Sequence, residues 1–443
     1  MDRTVCLAAF GLLATAPTAH GDGGAIDLMS EPTGYTDVAD AFDEGDPFDV
    51  NVRLGFRRST DSATIQREHT DAATSDGRPS RRFVDVAEHS HEYNALELEL
   101  ELGLYRDLML FAQLPIVLAE TRELREPDGV DCVERPADDA CQRLTVPLAG
   151  GTREVLFDPS PLASAKRSGL PSIDFGLAWS VTNQQRGSLM STWVLRGELS
   201  IPTEDLMEPC TRDTDDCSAG ISDGQAHLTL ESRWSHRFRH VEPLLGVAHT
   251  FSWISGGEDL YRPAGRLDGL ADDAPPTTTQ LTAGAVVIPW EDRGRHQRFA
   301  LDTRASAEVI SEGRDISPLF DALGVSDSAH LQTPNLSNLA AAGADTVPFT
   351  GVTRVEGHAR ISMQTSLVIQ AARYVRFNLG LGLAHTSGHL LTGERPCNTR
   401  IDVDPDAPGG GLCVDGLPNP AHRPGIDAPG QRFRIGPQLT VEL

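Results

Sequence analysis

The chain has 443 residues, 64 acidic against 38 basic, and a formal net charge of −26 at pH 7. So acidic a surface repels a polyanion, which excludes nucleic acid as a partner. No stretch reaches the roughly 18–20 consecutive apolar residues of a membrane helix, so a helical membrane protein is excluded as well.

Residues 1–21 read as a cleaved secretory leader. Arg3 is the basic residue near the start, residues 5–16 are largely apolar, and Ala19-His20-Gly21 fits a small-x-small cleavage pattern. A buried N-terminal helix is the alternative. Residues 22–47 follow as an acidic periplasmic segment, and the stretch 22–49 holds nine acids and no basic residue. Such a run is expected to be a solvated tail, with a plug or a partner-docking strand as the other reading.

From residue 48 onward the dominant signal is a two-residue alternation. Val50, Val52, Leu54 and Phe56 alternate with Asn51, Arg53, Gly55 and Arg57. Leu96, Leu98, Leu100 and Leu102 alternate with Glu97, Glu99 and Glu101, and Ile173, Phe175, Leu177 and Trp179 with Asp174, Gly176 and Ala178. A period of two puts one set on each face of a strand. Twelve such segments are predicted: 48–57, 92–104, 108–118, 172–182, 189–201, 224–237, 241–254, 279–290, 297–311, 352–368, 375–386 and 431–443. Most exceed the ~9–11 residues that a tilted strand needs to cross a bilayer.

The connections alternate short and long. The long ones are 58–91, 119–171, 202–223, 255–278, 312–351 and 387–430. Six cysteines fall in three close pairs inside them, Cys132/Cys141, Cys210/Cys217 and Cys397/Cys413. That arrangement predicts three disulfides stapling loops in an oxidising compartment. Their spacing does not suit zinc, and no metal is expected. Short patches at 318–323 and 336–342 predict helical turns in the fifth long loop, which would fold over the barrel mouth.

Long strands, one-sided loops, and one charged face opposite one apolar face predict an all-β fold. It is a transmembrane antiparallel β-barrel of about twelve strands with long extracellular loops, spanning residues 48–443. A soluble sandwich or propeller does not require one-sided loop lengths, and no fixed-signature repeat is present.

Two stretches carry a resemblance. Residues 100–108 (Leu-Glu-Leu-Gly-Leu-Tyr-Arg-Asp-Leu) lead to Leu114-Pro115-Ile116. Residues 169–177 (Gly-Leu-Pro-Ser-Ile-Asp-Phe-Gly-Leu) lead to Leu199-Ser200-Ile201-Pro202-Thr203. They resemble the outer-membrane barrels of the phenol meta-pathway transporter family, although Glu204 stands where that family prefers Gly. The resemblance implies a bacterial outer-membrane channel for passive passage of small solutes, often aromatic or apolar. The last strand resembles the signal read by the barrel-assembly machinery, with Leu443 in place of a terminal aromatic. Outer-membrane lipid, a small solute and that machinery are therefore the expected partners.

The charged face marks the candidate solute pathway. It comprises Glu97, Glu99 and Glu101, then Arg196 and Glu198, Glu231 and Arg233, and Asp302, Arg304 and Glu308. Arg354, Glu356, His358 and Arg360 complete it. Opposed rows of charge favour polar solutes in a narrow pore. The same side chains, salt-bridged to each other, would equally fill a lumen of this size. His385 and Ser387, two apart on one strand face, give a lipid-hydrolase alternative resembling outer-membrane phospholipases. A structural or adhesive barrel without transport is a third reading. His89-Ser90-His91-Glu92 reads as the polar start of a strand in preference to a metal site. No cofactor is expected, because no phosphate loop, dinucleotide fingerprint or calcium loop occurs.

Overall fold

A computed structural model of the chain describes residues 34–39, 41–43, 46–70, 81–131, 139–147, 153–159, 162–186, 190–203, 205–212, 220–256, 259–261, 274–292, 294–331, 333–334, 346–347, 349–372, 375–394, 422–423 and 425–443. Eleven long strands form most of the wall. They are β1 (Val50–Thr70), β2 (Arg81–Tyr105), β3 (Leu108–Arg125), β4 (Ser172–Thr182), β5 (Thr192–Pro202), β6 (Gln225–Ser235), β7 (Val241–Ile254), β8 (Thr278–Asp292), β9 (Gln297–Ile310), β10 (His358–Ala372) and β11 (Val375–Thr386). The twelfth is broken in two at Gly436-Pro437, giving β12 (Phe433–Ile435) and β13 (Gln438–Glu442). From β1 to β11 each strand pairs antiparallel with its successor, β12 pairs with β1, and β13 pairs with both β11 and β1, so the sheet closes on itself.

The face rule decides what the barrel meets outside. Leu98 and Leu100 point outward, 36% and 48% exposed, while Glu101 between β1 and the lumen is 2% exposed. Val52, Phe56, Phe175, Leu177, Leu381 and Leu383 continue the outer apolar surface. Trp193 and Trp234 stack on neighbouring strands near the ends joined by short turns, with ring centroids 6.3 Å apart. This is an outer-membrane-type barrel, with an apolar belt, an interfacial aromatic rim, and short turns on the periplasmic side. Two of those turns place non-glycine residues, Arg106 and His296, at positive φ (44° and 52°).

The structure departs from the predicted bounds at several points, among them the third strand, which runs on to Arg125 past the predicted 118. The first hairpin is much taller, because β1 runs on to Thr70 and β2 begins at Arg81, so most of the predicted loop 58–91 is strand. Its upper outward residues are polar (Arg58, Ser62, Glu88, Glu92), as suits a sheet standing above the lipid. The tenth wall strand begins at His358, not 352, because Thr353–Val355 pairs with Gly313–Asp315 in a separate ribbon. The N-terminal segment is not a solvated tail over its described part: Tyr35 and Ala39 are buried inside the barrel.

Above the membrane the long connections form a cap with its own apolar core. Ile65, Val86 and Leu124 from the tall strands meet Leu144, Leu156, Leu319, Leu323, Phe349, Leu391, Ile426 and Phe433. The predicted helical turn is present as a short helix, Phe320–Gly324, with Phe320, Ala322 and Leu323 buried; the patch at 336–342 lies outside the described residues. Buried arginines tie the cap together. Arg67 donates to the carbonyl oxygens of Thr145, Gly425 and Gln431, so one side chain ties two loop segments to β1. Arg167 pairs with Asp321, and Arg314 with Glu394 at 2.9 Å. Cys141 and Cys210 are each disulfide-bonded. Cys132, Cys217, Cys397 and Cys413 lie outside the described residues.

Candidate functional site

The floor of the lumen is built by the N-terminal segment. Two guanidinium groups lie over the Tyr35 ring, Arg233 at 4.9 Å and Arg304 at 4.7 Å from its centroid. Cations at this distance suit the negative face of an aromatic ring. Its hydroxyl rests on Gly246, where any Cβ would collide with it. Arg233 also donates to the Tyr35 carbonyl oxygen at 3.1 Å, and the Thr36 and Ser235 hydroxyls share a 2.6 Å hydrogen bond. Tyr35 joins Leu244, Val286, Ile288 and Ala300 in a small apolar cluster near the turns.

Above Tyr35 three cavities follow one another toward the cap. The lowest, about 400 Å³, is lined by Arg196, Glu198, Glu231, Arg233, Arg304 and Glu308 with Thr229, Thr250, Gln280, Ser306, Ser362 and Gln364. The second, about 490 Å³, shares Glu198, Thr229, Thr250, Thr278 and Glu308 with the first and adds Asp174, Asp223, Asp315, His227 and His358. The third, about 320 Å³, shares Ser200, Asp223, Gln225, His227 and Asp315 with the second and reaches His91, Glu120, Arg122, Met207 and Ile316. The shared walls make one polar column between Tyr35 and the cap.

The charges on this column compensate each other locally. Arg196 donates to Glu198 at 2.8 Å, Arg233 to Glu231 at 2.6 Å, and Arg304 to Asp302. Each pair is two residues apart on one strand, hence on one face. Arg196 also covers the Phe111 ring at 3.6 Å, and that ring occupies the space a side chain at Gly176 would need. The second cavity differs from the first: its lining holds five carboxylates and two histidines and no arginine. Burial pushes the Asp315 carboxyl up to about 6, although it accepts hydrogen bonds from the Ile316 N–H and Gln225.

Of the predicted pathway residues, Arg196, Glu198, Glu231, Arg233, Arg304, Glu308 and His358 line the cavities. Asp302 faces inward but is buried against Arg304. Glu97, Glu99 and Glu101 form a second cluster away from the cavities, where Arg53 donates to Glu99 and Glu101 and Arg57 to Glu97. Arg360 faces inward opposite Glu308. Arg354 and Glu356 leave the lumen, because the ribbon before His358 holds Arg354 against Glu312 at 2.7 Å and Glu356 against the Leu390 N–H. His358 stacks on His389, with centroids 3.7 Å apart.

His385 and Ser387 do not form a base–nucleophile pair. His385 is exposed on the lipid-facing side, and the Ser387 hydroxyl accepts the Ala359 N–H at 3.1 Å. His91 is held by Asp61 at 3.1 Å and Glu120 at 3.2 Å. The uncharged lining residues Thr278, Gln280, Ser306, Ser362 and Gln364 were legible by parity, since they share the inward face of charged neighbours. Tyr35, Asp223 and Asp315 come from segments outside the wall strands and carried no such signal.

No protein-family profile matches the chain, and no curated protein matches it. Among solved structures it is similar to a FadL homologue of Pseudomonas aeruginosa at 10% identity, covering 88% of this chain and 89% of that one, TM-score 0.30. It is similar to an outer membrane channel of Pseudomonas putida F1 at 9%, covering 90% and 98%, TM-score 0.28. It is similar to a TodX deletion mutant, a monoaromatic hydrocarbon channel, at 10%, covering 88% and 89%, TM-score 0.25. At such values the superpositions are loose, and the barrel assignment rests on the closed ladder from β1 round to β13.

Proposed function

We propose that the chain is a bacterial outer-membrane channel for the passive passage of small solutes that carry polar groups, aromatic ones among them. The observation that carries this reading is the continuous polar column from Tyr35 to the cap. Hydrogen-bonding side chains replace the hydration shell of a solute at every level, and paired charges keep the field from trapping it. The carboxylate-rich middle cavity favours cations and amines over anions. In this reading the leader is removed on export, the cysteine pairs brace the outer loops, and the N-terminal segment restricts the periplasmic mouth. The hydrolase alternative lacks its dyad, because Ser387 is committed to the backbone of β10.

The test is reconstitution of the purified full chain in planar bilayers and liposomes. Stepwise conductance, together with uptake of small polar solutes, is the expected result. A barrel silent in both assays, with the N-terminal segment either present or removed, overturns the reading.

A further inference from the structure

The third cavity, about 320 Å³, lies within the size range of small-molecule sites. Part of its lining is apolar: Pro171, Met207, Ile221 and Ile316. Part is charged but neutral within itself. Arg122 donates to Glu120 through two nitrogens, at 2.7 and 2.9 Å, and His91 bridges Glu120 to Asp61. A carboxylate ligand would therefore find the arginine of this cavity already committed to Glu120.

Where the third cavity joins the second, the charges are not balanced. Asp223 and Asp315 line both cavities, and among the described residues neither pairs with an arginine. The nearest cationic partner of Asp223 is the His227 ring, 3.9 Å away. Asp315 is aimed by its neighbours. Its Oδ1 accepts the Ile316 N–H at 2.7 Å and the Gln225 amide at 3.1 Å, and the same amide nitrogen donates to the Tyr261 hydroxyl at 2.5 Å. Gln225 and Tyr261 are both buried, so this scaffold is held in place by packing. Both bonds fall on one oxygen, and Asp315 Oδ2 has no hydrogen-bond partner among the described residues. Across the ribbon Asp315 pairs with Thr353, and cross-strand partners share a face. Thr353 is only 4% exposed, and its hydroxyl too has no partner among the described residues.

We propose that the junction of the second and third cavities binds amphiphilic primary amines, with the ammonium at Asp315 and Asp223 and the apolar body against Met207, Ile221 and Ile316. An ammonium carries three N–H donors and no acceptor, which matches free carboxylate oxygens beside a free hydroxyl. A metal ion does not suit the place: among the described residues no three histidine, cysteine or acidic side chains stand close enough together to ligate one. The apolar lining in turn distinguishes an organic cation from a hydrated inorganic one, because burying its hydrocarbon part adds affinity that a bare cation lacks. Gln225 is a positioning residue here, since it holds Oδ1 and leaves Oδ2 to the ligand. The proposal rests on the polar column being the solute path, and it names the class of solute that pauses there.

The probe is 2-phenylethylamine, titrated calorimetrically into the full chain in maltoside micelles at pH 7.5. Saturable binding is expected. Phenylacetate, which reverses the charge, and ethylamine, which lacks the ring, should each bind at least tenfold more weakly. Asp315→Asn keeps the acceptor for Ile316 and Gln225 and should weaken 2-phenylethylamine tenfold or more. The ligand series needs no change to the protein, so misfolding of that variant cannot hide the answer. Location is read from carbon-13 methyl resonances of the six methionines. The Met207 signal, assigned through Met207→Leu, should move with saturation. Three results overturn the proposal: no saturable binding, equal binding of phenylacetate or ethylamine, or a Met207 signal unmoved at saturation. Liposome uptake of the same amine separates the two readings. Binding without uptake overturns passage and upholds the site, whereas uptake without binding overturns the site and upholds passage.

Discussion

At the scale of single residues, two side chains set testable behaviour. Tyr35 is held by two cation–π contacts and by the absence of a side chain at Gly246. Tyr35→Ala removes the ring and both contacts, each worth about 0.5–2 kcal/mol. Single-channel conductance in planar bilayers should rise and flicker less, and Gly246→Val should do the same by displacing the ring. Unchanged conductance in both would mean that Tyr35 is not the restriction. Asp427 acts in the cap. It is buried, accepts the Arg423 N–H at 2.7 Å, and burial pushes its carboxyl up to about 8 from an ordinary 3.8. The folded cap therefore holds this proton more tightly than the unfolded chain does. Its contribution to stability is complete below pH 3.8 and is lost as pH rises toward 8, at about 1.4 kcal/mol per pH unit. Protease resistance of the cap should fall between pH 5 and 8, and Asp427→Asn should flatten that dependence. A cap equally resistant across the range would count against the buried neutral acid.

At the scale of elements, the strands were the legible part of the sequence. The Leu-Glu alternation of β2 and the Ile173–Val181 alternation of β4 fix both position and face, because one residue of slip would put carboxylates into lipid. What escaped was the height of the first hairpin. Residues 58–70 and 81–91 lack the apolar face, since they stand above the belt, and polar alternation there reads as loop. Arg354 and Glu356 were misplaced for a related reason: their parity continues that of His358 and Arg360, but the chain leaves the wall at Gly357 to form the ribbon with Gly313–Asp315. The N-terminal plug carried no periodic signal, because its grip comes from one aromatic residue and from groups on distant strands. The tall hairpin is in turn joined to its neighbours by side chains. Thr440 on β13 bonds Asp61 on β1, Asp61 bonds His91 on β2, and His91 bonds Glu120 on β3, which also pairs with Arg122 at 2.7 Å. His91→Leu leaves Asp61 and Glu120 facing an apolar group, at a cost of about 3 kcal/mol. The temperature at which the barrel loses its compact migration on unheated gels should drop, and His91→Gln should restore part of it. No drop in the Leu variant would show that the β13–β1–β2 junction is held by backbone pairing alone.

At the scale of the whole molecule, the lumen is graded in charge. The lower cavity sets three arginines against three glutamates, whereas the middle cavity carries Asp174, Glu198, Asp223, Glu308 and Asp315 with no arginine. Low-dielectric walls focus that field along the axis. If solutes follow the column, a potassium chloride gradient across the bilayer should give a reversal potential of the sign for cation preference. Glu308→Gln together with Asp223→Asn should move it toward zero. Asp315 adds a proton-sensitive part. With its carboxyl raised to about 6, it is charged at pH 7.5 and largely neutral at pH 5, so cation preference should weaken as the bath is acidified. Asp315→Asn should show the weaker preference at both pH values and lose the step between them. A wild-type preference for anions, or a step near pH 6 that survives Asp315→Asn, would separate the conducting path from this cavity. The carboxylate-rich cavity lies between the cap and the paired charges around Tyr35, so on a path along the column the groups that choose the ion and the group that limits its flow are separate. The Tyr35→Ala channel should accordingly conduct more while keeping the reversal potential of the unmodified chain, since the residues that choose the ion lie above the one that limits its flow.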